Sequence, residues 1–304
     1  TDVIEERAAA RAAGVTVGEL YQAWLRSAKA RQLRTVKQDE KLWARHLKKK
    51  VAAKGATALG IIEVQRLVDA IGAKTPRTAN KALALLSRVY SHARKSGVIQ
   101  GDNPCQGVTK FPEKMRERFM LPDEVKTFLD AVQDEAEPWR GYFLMLLFTG
   151  ARRAAVAAMR WPDIDRQGSI WHVPSWASKN GKPLAIPLTA EATTLLEQLH
   201  PRAVSEWVFP SGSSRSGHIE TPTKPWRRIC KRMEVDDLHI HDIRRTVGSC
   251  LAANGENSHV LSKALGHLSP RSAEPYARLN LDPVRDAMSG VTAGWGPKEK
   301  ADGV

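Results

Sequence analysis

Cysteine is scarce in this chain. Its three residues, Cys105, Cys230 and Cys250, stand far apart with no CxxC spacing among 304 positions. That argues against a disulfide framework or a structural zinc site and fits a reducing cytosol. Long apolar runs are missing as well. The longest, Phe143 to Phe148, is much too short to cross a bilayer, and no signal peptide precedes it, so no membrane partner is expected. Acidic residues are in deficit, with 33 Asp+Glu against 47 Lys+Arg, a net charge of +14 and a pI near 9.9. This balance suits a polyanionic partner, although alone it also fits a ribosomal or membrane-surface protein. Internal repeats and low-complexity tracts are absent. Tyrosine is rare too: of four, Tyr21, Tyr90 and Tyr142 fall on apolar helical faces, where core packing is the ordinary role, which leaves Tyr276. The pair His239-x-His241 invites a metal reading, but no Asp/Glu/His cluster completes a ligand set, and neither metal nor cofactor is expected. The first residue is Thr rather than Met, as expected of a chain processed or cut from a longer protein.

What is present divides into two regions, and 304 residues suffice for two cores. The first third reads as helices. Residues 16–29 place Val17, Leu20, Tyr21, Trp24 and Leu25 at helical spacing behind a Thr16 cap with Glu19 three residues on. Residues 35–52 and 61–71 give two more helices. A fourth spans 76–95, with Thr75 as its cap, Pro76 at its first position and Gly97 at its close. Packed together they predict a small bundle over 1–98. Residues 99–119 hold Gly, Pro and mixed charges without a sustained period and read as an interdomain linker. Residues 120–292 are mixed: helices near 123–134, 138–148, 152–159, 189–199, 223–233, 241–253 and 256–264. Between them lie two strands near 169–174 and 184–188, joined across Lys179-Asn180-Gly181-Lys182, whose Asn-Gly is a hairpin signal. Residues 293–304 read as a flexible tail. The expected fold class is mainly α with a small β-sheet, an α+β second domain behind a helical first one.

The first domain carries an uneven charge. Eleven Lys/Arg face two acids, Asp39 and Glu40, between Arg26 and Lys54; six face none between Lys74 and Lys95. On the fourth helix Arg77, Lys81 and Arg88, with Asn80 and Ser87, lie opposite the apolar stripe. Such a face suits insertion beside nucleic-acid phosphates, with Asn or Arg reaching base edges; its bland alternative is a solvated charged surface.

Four segments of the second domain carry chemistry. They read Thr149-Gly150-Ala151-Arg152, Ser178-Lys179-Asn180-Gly181, His241-Asp242-Ile243-Arg244, and Leu265-Gly266-His267 with Tyr276 nine residues on. Together they supply a means to attack a phosphodiester without a metal. Two forked guanidiniums hold the phosphate, imidazoles and an ammonium manage protons, and a phenol supplies the nucleophile. His241 and Arg244, three apart, share one helix face. Arg153, Arg245 and His239 are neighbouring competitors, and Lys182 or Lys224 could replace Lys179.

In their order and spacing these segments resemble the tyrosine recombinase (phage integrase) family, with its TGxR, hairpin-lysine, HxxR and LGH boxes and YA(R/H)L ending. The resemblance implies that residues 1–98 are a core-type DNA-binding domain and 120–292 the catalytic domain. It implies that Arg152 and Arg244 clamp the scissile phosphate and His267 contacts it. Lys179 would protonate the departing 5′-oxygen. His241 would assist the proton leaving the tyrosine or hydrogen-bond a nonbridging oxygen, and Tyr276 would form a 3′-phosphotyrosyl bond. It implies a site-specific recombinase of a phage or mobile element, needing neither metal nor ATP. Its partners would be double-stranded attachment sites bound by a homotetramer on two duplexes, with accessory DNA-bending or directionality proteins. The arm-site domain that many relatives carry before the core domain is expected to be absent or removed. One departure stands out: where many relatives place an acid three residues after the first arginine, this chain has Ala155. A type IB topoisomerase-like nicking and closing enzyme and a DNA-binding protein that no longer cuts are the rival readings.

Overall fold

The computed structural model describes residues 14–113, 116–178 and 181–266. The chain forms two compact units, Thr1–Met115 and Arg116–Val304.

In the first unit, α1 (Val17–Ala30) opens with the expected box: Glu19 N–H donates to Thr16 Oγ1 at 3.3 Å, and Thr16 N–H to Glu19 Oε2 at 2.8 Å. The expected single helix over 35–52 is instead α2 (Val36–Leu42) and α3 (Lys48–Val51), joined by a π-helical turn at Trp43–Leu47. That turn aims Trp43 inward, where it stacks on Tyr21 with centroids 4.0 Å apart. Helices α4 (Ile61–Gly72) and α5 (Pro76–Lys95) complete the bundle around Leu20, Val64, Leu85, Leu86 and Val89. Thr75 does not cap α5; its hydroxyl donates back to Ile71 O at 3.3 Å, and Pro76 alone marks the start.

Much of the segment read as a linker is folded onto this unit. Ile99, Cys105 and Val108 are buried in its core. The Phe111 ring packs where a side chain on Gly72 would stand, within 2.0 Å of a Cβ there. Asn80 fixes the same stretch, its Nδ2 donating to Phe111 O at 2.9 Å and its Oδ1 accepting from Phe111 N–H at 3.0 Å. Gln65 treats Thr109 in the same way.

The second unit is organised around α7 (Trp139–Thr149), which is apolar on all sides and therefore buried, with Tyr142, Phe143 and Met145 almost wholly inaccessible. Around it stand α6 (Pro122–Gln133), α8 (Arg153–Ala157), α9 (Ala190–Leu199), α10 (Thr223–Arg232) and α11 (Ile240–Ala253), followed by α12 (Ser258–Ala264). A three-stranded antiparallel sheet, β1 (Ile164–Asp165), β2 (Ile170–Val173) and β3 (Leu184–Pro187), lies at its side. The two-residue β1 is too short to leave a period in the sequence. Strands β2 and β3 pair from Ile170 with Pro187 to Val173 with Leu184, so their connection runs from 174 to 183. It is longer than a two-residue Asn-Gly turn and begins with a turn closed by Ser178 N–H on Pro174 O at 3.1 Å. The helical units and small sheet are the fold class expected.

Candidate active site

The site is assembled from the turn after α7. Thr149 Oγ1 donates to Met145 O at 2.6 Å and accepts from Ala151 N–H at 3.2 Å, which stops the helix and starts the turn. Gly150 takes φ +58, the left-handed C-cap conformation that favours glycine. A Cβ there would also meet Val247 at 2.9 Å and Leu265 at 3.2 Å. This close approach brings three of the four segments together. Arg244, 4% exposed, donates through Nη1 to Gly150 O at 2.8 Å and through Nη2 to Leu265 O. Arg152 Nη1 donates to Gly266 O at 3.2 Å. Ala151, Arg152, Ser178, Leu184, Arg244 and Leu265 line one small cleft, so the start of the hairpin loop joins as well. Of the two adjacent arginines, Arg152 is turned inward and half-buried while Arg153 is exposed. Ala155 is buried against the same cleft.

On helix α11 Arg244 is buried and turned into this cleft, whereas His241 is exposed and lines a separate groove with Arg153 and Arg227. Behind them is a charge the sequence reading passed over. Asp242 is completely buried; it accepts from Arg116 Nη2 at 2.8 Å and Nε at 3.1 Å, from Arg245 Nη1 at 2.6 Å and from His239 N–H at 2.8 Å. Burial alone would raise its pKa, but Arg116, the His239 N–H and Arg245 outweigh it and hold the carboxyl below its ordinary value. His241 is pushed the other way. Packing around its ring, then Arg245 and Arg244, with Arg152 adding less, lower it to about 4 against the opposing pull of Asp242. His241 is exposed, so solvent weakens the effect of packing, but three guanidiniums act in the same sense. These neighbours favour the uncharged form of the ring.

Lys179, His267 and Tyr276 lie outside the described residues. The other tyrosines are described, and all three are buried. Burial raises the phenol of Tyr21 to about 12 and those of Tyr90 and Tyr142 further. Tyr90 donates to Ala56 O at 2.9 Å and Tyr142 to Arg153 O at 3.2 Å. None is placed to act as a nucleophile. Among the described residues no group of three or more His, Cys, Asp or Glu side chains could hold a metal ion.

A cationic groove adjoins His241, with a volume near 670 Å³ and Arg153, Arg227, Lys231, His239 and His241 among its lining residues. The charge run in Thr223–Arg232 signals it in the sequence. On that helix Arg228 and Arg232 are committed to the buried carboxylate of Glu135, at 2.5 and 2.7 Å. In the first unit Lys81 is exposed, and Arg77 is exposed beside Glu113 at 3.2 Å. Arg88 is bound by both oxygens of the buried Asp39 at 2.8 and 3.2 Å and lies 5.4 Å over the Trp24 ring. The amide of Asn80 is spent on Phe111 and Glu113. Of the four residues expected to face nucleic acid, Asn80 and Arg88 are thus committed within the unit, and the exposed Arg77 is paired with Glu113. Sequence showed which side of the helix was polar, but not that the following segment folds back over it.

A sequence model of the phage integrase family matches residues 118–282, just over half of the chain. The prophage integrase IntF of Escherichia coli is 30% identical over 170 residues, covering 54% of this chain and 36% of that protein. Several curated relatives are matched over only 36% to 52% of their own length. Among solved structures, the Tn1549 transposon integrase in complex with a circular intermediate DNA superposes with a TM-score of 0.74 at 16% identity, over 91% of this chain and all of that one. A lambda integrase tetramer bound to a Holliday junction gives 0.70 at 16% identity, over 86% and 77%. These structures share the fold, and the family match covers the convergent segments around Arg152 and Arg244: the chain belongs to the phage integrase family.

Proposed function

We propose that this chain is a site-specific DNA recombinase, an integrase of a phage or mobile element, that cuts and rejoins DNA through Tyr276. The observation that carries this reading is the convergence of Arg152, Arg244, Ser178 and Leu265-Gly266 on one cleft from segments far apart in sequence. The Tyr276 oxygen attacks phosphorus, the bond to the 5′-oxygen breaks, and a 3′-phosphotyrosyl ester forms. The phenolic proton leaves toward neutral His241, and Lys179 supplies the proton that the departing 5′-oxygen requires. Arg152, Arg244 and His267 offset the charge gathering on the nonbridging oxygens, the largest contribution to rate in such sites. A 5′-hydroxyl of a partner duplex reverses the step, so bond energy is conserved without ATP, metal or cofactor.

The first unit would be the core-type DNA-binding domain, with Arg77 and Lys81 against phosphates. The second, with the groove beside His241, would be the catalytic domain. The working assembly would be a homotetramer on two attachment sites, as lambda integrase forms a tetramer on a Holliday junction. Accessory DNA-bending or directionality proteins would act in the cytosol with it. Among the described residues no helix is long and apolar enough to cross a membrane.

The test is a labelled duplex nicked beside the cleavage point, which traps covalent protein. The parent chain should form the adduct, in excess EDTA as without it, and Tyr276→Phe should bind equally and form none. An adduct with the Phe variant would place the nucleophile elsewhere. Binding with no adduct from the parent would leave a DNA-binding protein.

A further inference from the structure

The buried carboxylate behind His241 has a consequence for the two adjacent arginines of α11. Asp242 faces two guanidiniums, Arg116 from the segment entering the second unit and Arg245 from the next turn of its own helix. Arg116 also donates to Asp237 O, and Met120 N–H to Thr246 Oγ1 at 2.8 Å, so the entering segment is fastened along the helix start and holds Arg116 in place. Arg245 stands four residues after His241 and so shares its side of the helix. Its charge is the strongest of those that push the His241 imidazole down. With a guanidinium so placed, something must keep it from His241 and from the phosphate that Arg244 and Arg152 would hold. The 2.6 Å bond to Asp242 does this. Arg244 meanwhile is committed to the carbonyls of Gly150 and Leu265.

We propose that Asp242 is a positioning residue for strand cleavage, holding Arg245 away from His241 and the phosphate so that Arg244 alone of the pair serves the reacting group. This rests on the cleavage reading above. The chain lacks an acid at Ala155, and Asp242 brings a carboxylate whose charge reaches the histidine from within the HxxR box itself.

The experiment uses the full chain, the nicked duplex, and two variants: Asp242→Asn, and Asp242→Asn combined with Arg245→Gln. Melting and DNA affinity are recorded beside the single-turnover rate of adduct formation. With the carboxylate neutralised, Arg245 is released and adduct formation should fall roughly 10- to 100-fold at nearly unchanged affinity, the scale on which small misplacements act. Removing Arg245 from that variant should restore about tenfold, because the fault lies in the loose charge. A merely structural cap predicts the opposite, since the second substitution repairs no fold. The proposal is overturned if Asp242→Asn cuts at the parental rate, if the double variant cuts no faster than the single one, or if neither variant folds. A parent chain that forms no adduct overturns the cleavage reading and this role with it.

Discussion

The two units carry their positive charge in different ways. In the first, Lys48, Lys49, Lys50, Lys81 and Arg77 stand in solvent, with Arg77 paired to an exposed Glu113. In the second, Arg116, Arg118, Arg228, Arg232, Arg244 and Arg245 are each bonded to named oxygens, several of them buried. Exposed charges on flexible stems act collectively, through counterion release, and hardly depend on where any one of them sits. Fixed guanidiniums act one at a time, and their value lies in geometry. Charge density on the first unit is of the kind a polyanion would meet collectively. Only burial and direction separate Arg244 from Arg245 in the second.

The sharpest break in this comparison should come from Arg244. Arg244→Ala removes the fork and leaves two buried carbonyls, Gly150 O and Leu265 O, without it. Adduct formation should drop by about 100- to 1000-fold, the usual scale for losing one preorganised donor to developing charge. Stability should fall as well, by about 1–3 kcal/mol for each buried group left unsatisfied. Arg244→Lys keeps the charge but cannot reach both carbonyls, and should recover little. Single-turnover rates set against DNA affinity decide the matter: a lysine variant that cuts at the parental rate would show that charge alone suffices.

Gly150 should follow. Gly150→Ala forces a left-handed backbone on a residue that resists it and drives a methyl group into Val247 and Leu265. Strain of that kind costs about 1–3 kcal/mol before the clash is counted. Because Gly150 O is also the acceptor of Arg244, the adduct rate should fall further than the melting temperature implies. A variant that melts lower yet cuts normally would separate the turn from the site.

Helices and strands were legible because their periods are local. The stripe of Leu83, Leu86 and Tyr90, the Thr16–Glu19 box and the alternation around Trp171 depend on near neighbours. The motif boxes were legible for the same reason. What stayed hidden depends on contacts distant in sequence. Asn80 reads as a polar residue on a cationic face, and nothing local says that Phe111 will return to claim its amide. Arg88 and Asp39 are 49 residues apart, and Arg116 and Asp242 are 126 apart. A glycine at 72 was the one local hint of the first return, since its missing side chain makes room for a ring. The buried Asp242 had a weaker signal: an acid inside the HxxR box with arginine three residues after it, one helical turn away.

A smaller effect tests the first unit. Arg77→Gln with Lys81→Gln removes two exposed charges, and each lost phosphate contact should lower the steepness of log K against log salt by about 0.9. From an expected slope near −7, for roughly 8 phosphates, the pair should leave about −5 with no change in melting. Arg88→Gln should behave differently. It strands a buried carboxylate, so it should lower the melting temperature while changing the slope less. Equal slopes and equal melts for the two variants would remove the distinction between collective and fixed charge within this unit.

The smallest effect concerns pH and His241. In the unfolded chain this imidazole takes its proton near 6.5, whereas in the folded unit packing and three guanidiniums delay that step to about 4. Between these values the unfolded state binds more protons, so stability falls as pH drops from about 6.5 toward 4 and is fully present above. Asp242 contributes in a separate window. Its carboxyl is held below its ordinary value, so its share is lost only as pH falls through the acid range beneath 4. His241→Asn cannot take up the proton, and its melting temperature should therefore decline less than the parent's between pH 6.5 and 4. Arg245→Gln removes one of the repelling charges and should narrow the difference from the low side, because the folded imidazole then titrates higher. The readout is the melting temperature of parent minus variant at each pH, which cancels carboxylates common to both. A difference that stays flat across that interval would mean the ring is not held neutral by its neighbours, and that its readiness to take the tyrosine proton has another origin.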